Sequence, residues 1–261
     1  MIKAVFFDID GTLVSFQTHQ VPASTQYALE ALRAKGIKLF IATGRPPSGV
    51  AHIKNLLPFP FDGYITTNGQ YCFNDAGVLH EQWIPSEDLA NILPYLEEKQ
   101  IACDFMELDY IYLNRATPRV LQMWEQLGDT AFKEPFDDPN RIFTHRTYQL
   151  SAFVDTEEEE AFFRRLPGCR SVRWHPLFMD VIPKEGGKAT GILKCLEAYG
   201  ISPEESMAFG DGGNDTEMFT CVHTGVAMGN AGKDVQRMAD YVTDDVDHDG
   251  ILNALKHFRI L

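Results

Sequence analysis

Positive charge is scarce in this sequence of 261 residues, in which 23 Lys and Arg stand against 37 Asp and Glu, for a formal net charge of -14. Binding to nucleic acid depends largely on Lys and Arg side chains that displace counterions from phosphates. The composition therefore argues against a nucleic-acid partner. Adhesion to an anionic membrane surface is disfavoured for the same electrostatic reason.

Long hydrophobic runs are also missing. No apolar stretch approaches the roughly 20 residues that a membrane-spanning helix needs, and Asp8 and Asp10 interrupt the apolar N-terminal stretch. The five cysteines are widely spaced, with no Cys-x-x-Cys pair, which argues against a disulfide framework and a structural zinc site. We expect a monomer with no signal peptide and no membrane attachment that works in the cytoplasm with reduced thiols.

Short apolar strands alternate with helices at both ends of the sequence. The N-terminal part reads as strands at 2–8, 37–42 and 64–67, separated by helices at 21–35 and 46–57. The C-terminal part reads as strands at 207–210 and 224–228 among helices at 188–199, 215–221, 233–239 and 249–258. This alternation predicts an α/β fold with a Rossmann-like, mostly parallel sheet.

The pattern changes in the middle of the sequence, where predicted strands cluster at 101–106, 110–114, 149–154, 171–175 and 178–182, the last two as a hairpin around Pro176. Helices are predicted at 118–127 and 156–166. Clustered strands of this kind predict an antiparallel sheet, with helices on one face. The simplest organisation is a core of residues 1–82 and 184–261, interrupted by an α+β domain at 83–183. The acidic run at 157–160 is interpreted as the solvated first turn of a helix.

Asp8 and Asp10 follow the first strand in the stretch Asp-Ile-Asp-Gly-Thr. Their spacing places both carboxylates on one side of an extended chain, at the strand end where open α/β sheets bind ligands. Like charges this close repel, and a divalent cation would relieve the repulsion. Hard oxygen donors suit Mg²⁺. The alternative is a solvated turn, although a turn has no need of the apolar run that precedes it.

Two further segments carry groups that suit phosphate. Thr43, Gly44 and Arg45 follow the second strand, and a hydroxyl, a flexible backbone and a guanidinium can bind phosphate oxygens; a helix cap and a surface arginine are the alternative. Lys188 begins a helix, where a cation is slightly unfavourable unless it neutralises carboxylates or phosphate. A solvated surface lysine is the alternative there.

The segment 210–215, Gly-Asp-Gly-Gly-Asn-Asp, follows another strand and opens a helix. Its glycines allow close approach of a ligand to the backbone. Asp211 could reach a metal, while Asn214 and Asp215 could orient ligands or bind phosphate. A plain turn is the alternative, whereas a calcium loop is disfavoured because the later bidentate Glu is missing.

Together these four motifs, in this order and on these elements, resemble the haloacid dehalogenase (HAD) superfamily. The inserted α+β domain makes the chain similar to the Cof-type branch, whose large cap is of the C2 (type IIB) class, and to its bacterial sugar-phosphate phosphatases. The resemblance covers essentially the whole sequence.

The resemblance implies a role for each motif residue. Asp8 would be the nucleophile that forms an aspartyl-phosphate, and Asp10 would be the general acid and base. Phosphate and substrate would be bound by Thr43, Gly44, Arg45, Lys188 and Asn214. Mg²⁺ would be bound by Asp8, the backbone carbonyl of Asp10, Asp211 and Asp215. The implied activity is Mg²⁺-dependent hydrolysis of small phosphate monoesters, in particular hexose or pentose phosphates.

Two alternatives remain open at the level of sequence. Relatives with similar caps act as phosphohexomutases, which return the phosphoryl group to sugar instead of water. A non-catalytic sugar-phosphate sensor is the other alternative, although the intact motif acids speak against it. Substrate choice would belong to the inserted domain, whose polar candidates include Arg115, Glu125, His145, Arg146, His175 and Asp180. The Asn68-Gly69 pair after the third strand is interpreted as a turn at the site entrance.

Overall fold

The computed structural model describes residues 1–127 and 133–261, which divide into two compact units. The core unit comprises Met1–Glu81 and Gly186–Leu261, and the inserted unit comprises Gln82–Glu185. The strands are β1 Ala4–Phe7, β2 Lys38–Ala42, β3 Gly63–Thr66, β4 Tyr71–Asn74, β5 Gly77–Glu81, β6 Cys103–Met106, β7 Ile111–Leu113, β8 Gln149–Ala152, β9 Cys169–His175, β10 Phe178–Pro183, β11 Ser206–Gly210, β12 Thr224–Ala227 and β13 Tyr241–Val242. The α-helices are α1 Ala23–Ala34, α2 Pro47–Lys54, α3 Ser86–Glu98, α4 Pro118–Leu127, α5 Glu159–Phe163, α6 Lys188–Tyr199, α7 Thr216–Cys221, α8 Lys233–Gln236 and α9 Gly250–His257.

The core unit is built on one sheet with the strand order β13-β12-β11-β1-β2-β3-β4-β5. The strands from β13 to β3 run parallel, and the hairpin β4–β5 adds an antiparallel edge that the sequence did not reveal. The prediction of an α/β fold with a mostly parallel sheet is confirmed.

Strand β1 is fully buried because helices cover both faces of the sheet. Phe6 packs in a cluster with Ile192 of α6, and Phe7 packs on the other face in a cluster with Leu29 of α1 and Ile251 of α9. A strand covered on both sides is apolar throughout, unlike a strand with one wet face. This burial fixes the strand whose end carries Asp8.

The inserted unit contains an antiparallel sheet with the order β7-β6-β8-β10-β9. Phe105, Leu150 and Val181 cluster on one face with residues of α3 and α5. On the opposite face, Val120 of α4 packs in a cluster with Phe153. The expectation that helices cover a single face is therefore wrong, because the apolar side of α4 matches an apolar patch on the second face.

All five cysteines are free thiols, and Cys72, Cys103, Cys169 and Cys195 are buried. Burial raises the pKa of the Cys103 and Cys169 thiols, in Cys169 to about 12. They therefore pack as small apolar groups. Within residues 1–127 and 133–261, no helix is both long and apolar enough to span a membrane.

Candidate active site

The predicted site residues of the core unit converge at one edge of its sheet. Asp8 follows β1, Thr43 follows β2 and Asp211 follows β11. Because these strands are parallel neighbours, their carboxyl ends lie side by side. Lys188 reaches the same place from the start of α6. This is the edge at which open α/β sheets bind their ligands.

Lys188 lies at the centre of the site. Its side chain is 0% exposed, and its Nζ atom donates to Asp8 Oδ1 and to Asp215 Oδ1, each at 2.6 Å. Burial opposes the charged form of Lys188, but the carboxylates of Asp215 and Asp8 outweigh it and raise the pKa of the lysine. Lys188 is therefore a buried cation, and the alternative of a solvated surface lysine is excluded.

Carboxylates outnumber cations in this cluster. Asp8, Asp211 and Asp215 each place an oxygen within 4.8 Å of the others. Burial, followed by the charge of Asp215, raises the pKa of Asp8 well above its ordinary value and that of Asp211 to about 7. Lys188 offsets only part of the shared negative charge. A set of close, hard oxygen donors with excess negative charge fits Mg²⁺.

Backbone contacts hold two of these carboxylates in place. Asp215 Oδ2 accepts hydrogen bonds from the backbone N–H groups of Asp211, at 2.9 Å, and Gly212, at 2.8 Å. Gly11 has a left-handed φ of +81°, and a Cβ at this position would lie 2.2 Å from Asp211 Oδ2. Only glycine combines this backbone conformation with such a close approach.

Asp10 is paired with Arg45 and not with the three-carboxylate cluster. Arg45 donates from Nε to Asp10 Oδ2 at 2.9 Å and from Nη2 to Asp10 Oδ1 at 2.6 Å. Both side chains are about two-fifths exposed, at 41% for Asp10 and 39% for Arg45. Both oxygens of Asp10, the predicted general acid, therefore accept hydrogen bonds from Arg45, a predicted phosphate ligand.

Asn68 links the segment after β2 to the segment after β11. Its backbone N–H donates to the carbonyl of Thr43 at 3.0 Å, and its Oδ1 accepts from Asn214 Nδ2 at 3.1 Å. Gly44 lies against the Asn68 side chain. The sequence analysis assigns Asn68 only to a turn at the site entrance, but its position after β3, at the same sheet edge, is the signal that could have identified it.

The turn at 67–69 is strained. Thr67 and Asn68 both have φ values of +50°, followed by Gly69 at +91°. A β-branched residue such as Thr67 is rarely found at positive φ, and such outliers cluster at functional sites. A Cβ on Gly69 would lie 1.9 Å from the carbonyl oxygen of Gly187, next to Lys188. The strained turn thus allows the backbone of the 67–69 segment to pack directly against the start of α6.

Most polar candidates of the inserted unit have partners within that unit. Arg115 pairs with Glu97, Arg146 lies 3.9 Å above the Trp83 ring, and His175 stacks on Phe178. His145 shares a hydrogen bond with Thr144, and Glu125 is exposed. Asp180 differs, because it is only 3% exposed. It lies in register with Ser151 on β8 and Asp104 on β6, and the three form a polar row on the inserted sheet.

We expect the metal-free protein to lose stability as the pH rises. The pKa of Asp211 is about 7 in the folded state, against 3.8 when unperturbed. The folded state therefore binds its proton more tightly, so the stability from this proton is complete below about pH 4 and disappears as pH rises through about 7. One such group can lower the free energy of unfolding by at most about 1.4 kcal/mol for each unit of pH increase.

The measurement is urea unfolding in EDTA at several pH values between 4 and 8. Asp211→Asn serves as the comparison, because an amide does not titrate. The free energy of unfolding of the wild type should fall relative to that of the variant as the pH rises. A difference that stays constant or widens in favour of the wild type would contradict the expectation.

Comparisons with known proteins identify the family of this chain. Residues 5–255 match the family model of haloacid dehalogenase-like hydrolases. The chain is 35% identical over 262 residues to YkrA of Bacillus subtilis (strain 168), a protein provisionally designated a phosphatase, and the match covers 99% of this chain and 98% of YkrA.

Two solved structures are also similar. The HAD subclass IIB sugar phosphatase BT4131 has a TM-score of 0.88 at 41% identity, covering 99% of this chain and 100% of BT4131. BT1666, a HAD phosphatase from Bacteroides thetaiotaomicron, has a TM-score of 0.92 at 38% identity, covering 100% of this chain and 96% of BT1666. The chain belongs to the haloacid dehalogenase-like hydrolase family, in which its site and its relatives place it among the phosphatases.

Proposed function

We propose that this protein is a Mg²⁺-dependent phosphatase of small phosphate monoesters, in particular sugar phosphates, that acts through an aspartyl-phosphate on Asp8. The observation that carries the proposal is the cluster of Asp8, Asp211 and Asp215 around the buried Lys188. Phosphoryl transfer depends mainly on positioning and charge neutralisation, and this cluster provides the fixed groups for both.

In the first step, a carboxylate oxygen of Asp8 attacks phosphorus and the bond from phosphorus to the ester oxygen breaks. Asp10 gives a proton to that oxygen, which leaves as an alcohol. Lys188, already within hydrogen-bond distance of Asp8, offsets charge that builds on the transferring oxygens. Thr43 and Asn214 bind the same phosphoryl group.

In the second step, Asp10 takes a proton from water, and the water oxygen attacks phosphorus. The bond to Asp8 breaks, so that phosphate leaves and the carboxylate is restored. Each Asp10 oxygen accepts one hydrogen bond from Arg45 and keeps a further lone pair through which it can exchange a proton. A substrate phosphate that attracts the Arg45 guanidinium would draw it away from Asp10, so that Arg45 can bind phosphate while Asp10 acts as acid and base.

Asp8, Asp211 and Asp215, with the backbone carbonyl of Asp10, would hold the metal. Bound Mg²⁺ would supply positive charge to the phosphoryl oxygens and to the crowded carboxylates. The raised pKa values of Asp8 and Asp211 support this, because burial and then the charge of Asp215 disfavour their ionised forms, and a bound cation would offset both effects.

A polar row on the inserted sheet supports the choice of a sugar ester. Asp104, Ser151 and Asp180 lie in register on β6, β8 and β10, and so share the face opposite α3 and α5. Asp180 accepts hydrogen bonds from Ser151 Oγ and Trp174 Nε1, each at 2.9 Å. Asp104 is 6% exposed, and its Oδ1 has no hydrogen-bond partner among the described residues.

This row offers the groups that recognise hydroxyls. Burial, then the charges of Glu134 and Asp180, raises the pKa of Asp104 well above its usual value, which favours the protonated form, a hydrogen-bond donor. Asp180 accepts from hydroxyls, and the Trp174 ring, half-exposed beside it, is a surface on which a sugar ring can pack. Action in the cytoplasm as a monomer belongs to the same proposal. The net charge of -14 disfavours self-association, and the free thiols fit a reducing compartment.

Phosphate release from hexose and pentose phosphates tests the proposal. We expect turnover of these esters with Mg²⁺, its loss in EDTA, and free sugar as the product. Asp180→Asn should lower kcat/KM for the preferred sugar phosphate by about 10- to 100-fold, since it weakens a charge-assisted hydrogen bond, while p-nitrophenyl phosphate is hydrolysed as before.

Asp155→Asn is the matched control, because Asp155 belongs to the same unit but forms an exposed pair with Arg119. Equal losses on both esters in Asp180→Asn would show a general defect and contradict recognition of sugar hydroxyls. An isomeric phosphosugar as the product would instead identify a mutase.

A further inference from the structure

Asn230 follows β12 at the sheet edge that carries the site, and its side chain makes three contacts. Nδ2 donates to the carbonyl oxygen of Gly11 at 2.9 Å and to Asp211 Oδ2 at 3.0 Å. Oδ1 accepts from the backbone N–H of Val246 at 3.0 Å. One side chain thus joins the segment after β1, the segment after β11 and the loop before α9.

The contact with Asp211 completes a pair of hydrogen bonds around one carboxylate. Thr12 Oγ1 approaches Asp211 Oδ1 at 3.4 Å, and Asn230 donates to the other oxygen, Oδ2. A carboxylate held at both oxygens by neutral donors has a defined orientation and keeps further lone pairs for a metal ion.

The contact with Gly11 acts on the segment that carries Asp8 and Asp10. Gly11 has a left-handed backbone and lies against Asp211. Its N–H donates to the carbonyl of Val14, and its own carbonyl accepts from Asn230. Asn230 therefore fixes the distance between this segment and Asp211, both of which supply predicted metal ligands.

We propose that Asn230 is a positioning residue of the metal site, which orients the Asp211 carboxylate and holds the 8–12 segment beside it; this inference rests on the Mg²⁺-dependence proposed above. Asn230 touches neither the predicted nucleophile nor the phosphate ligands in the described contacts. It acts on the reaction through Asp211.

The test is the affinity of the substrate-free protein for Mg²⁺, measured by titration calorimetry. Loss of a partner that orients a metal ligand typically weakens metal binding by about 10- to 100-fold, and we expect a loss of that size in Asn230→Ala. At saturating Mg²⁺, KM for the phosphate ester should stay near the wild-type value. Asn230→Gln keeps both N–H donors on a longer arm and should show an intermediate affinity.

Asn253→Ala is the matched control. Asn253 also tethers the loop before α9, through a hydrogen bond from Nδ2 to Asp244 Oδ2 at 2.8 Å, but the described contacts do not connect it to Asp211. If Asn230 only anchors this loop, both variants will lower the midpoint of metal-free unfolding and neither will change Mg²⁺ affinity. That result would overturn the inference. A wild type that binds no Mg²⁺ would overturn the proposed metal dependence itself.

Discussion

Replacement of Asp8 by Asn should reduce phosphate release by at least about 10⁴-fold, a loss typical of removing a nucleophile from a catalytic unit. An amide oxygen is a poor nucleophile and cannot form the aspartyl-phosphate. The variant should still fold, because Asn is the same size and can accept the hydrogen bond from Lys188. Steady-state release of phosphate from a sugar phosphate with Mg²⁺ measures the effect.

The same variant should be more stable than the wild type in metal-free buffer at neutral pH. Burial raises the pKa of Asp8, and repulsion from the carboxylates of Asp215 and Asp211 raises it further. Removing its charge relieves that repulsion. Asp62→Asn is the control, since Asp62 also pairs with a lysine, Lys38, but the pair is partly exposed and lies away from the site. Activity of Asp8→Asn within tenfold of the wild type would remove Asp8 from the role of nucleophile.

Replacement of Lys188 by Met should lower both activity and stability. Met fills a similar volume but leaves Asp8 and Asp215 buried without their cation. Breaking a buried ion pair in this way typically costs about 3–5 kcal/mol. Loss of a fixed charge next to the transferring group should also reduce kcat by about 10²- to 10³-fold. Urea unfolding in EDTA at pH 8, together with steady-state kinetics, measures the two effects.

The control for this variant is Lys38→Met. Lys38 forms a pair of similar length with Asp62, at 2.7 Å, but its side chain is 45% exposed. An exposed pair contributes about 1 kcal/mol or less. The loss of unfolding free energy in Lys188→Met should become smaller as the pH falls, because the carboxylates become protonated. Equal destabilisation in the two variants, or a deficit independent of pH, would show that burial of the charge cluster is not the cause.

The sequence predicted best the elements whose signal is local. Helix α6 begins and ends where predicted, because Gly186 and Gly187 precede it, its apolar residues are helically spaced and Gly200 follows. The hairpin β4–β5 was missed because much of its surface is exposed, so its apolar pattern is weak. Helix α3 was missed although Leu89, Ile92 and Leu96 are spaced as a helix face; Pro94 lies within it and interrupts the pattern.

The convergence of the candidate site residues at one sheet edge was predictable from the sequence, but the pairings among their side chains were not. The rule that ligands bind at the carboxyl ends of parallel strands pointed to Asp8, Thr43 and Asp211. The same rule would have pointed to Asn68 and Asn230, which also follow strands of this sheet. Arg45 and Asp10 lie in two loops, 35 positions apart in the sequence. Whether their side chains meet depends on how the strands before these loops pack in the sheet, which the sequence pattern does not reveal.

The bond between Lys188 and Asp8 has a consequence for how the chain folds, since it joins residues 180 positions apart. Strand β1 also needs β11, which follows the inserted unit in the sequence, as one of its two neighbours. During synthesis, Asp8 therefore emerges long before its cation and its partner strand. The contacts of such distant segments form late and slow folding. The charge cluster is thus complete only once the C-terminal half has joined the sheet, so partly folded chains carry the proposed nucleophile, Asp8, without its cation.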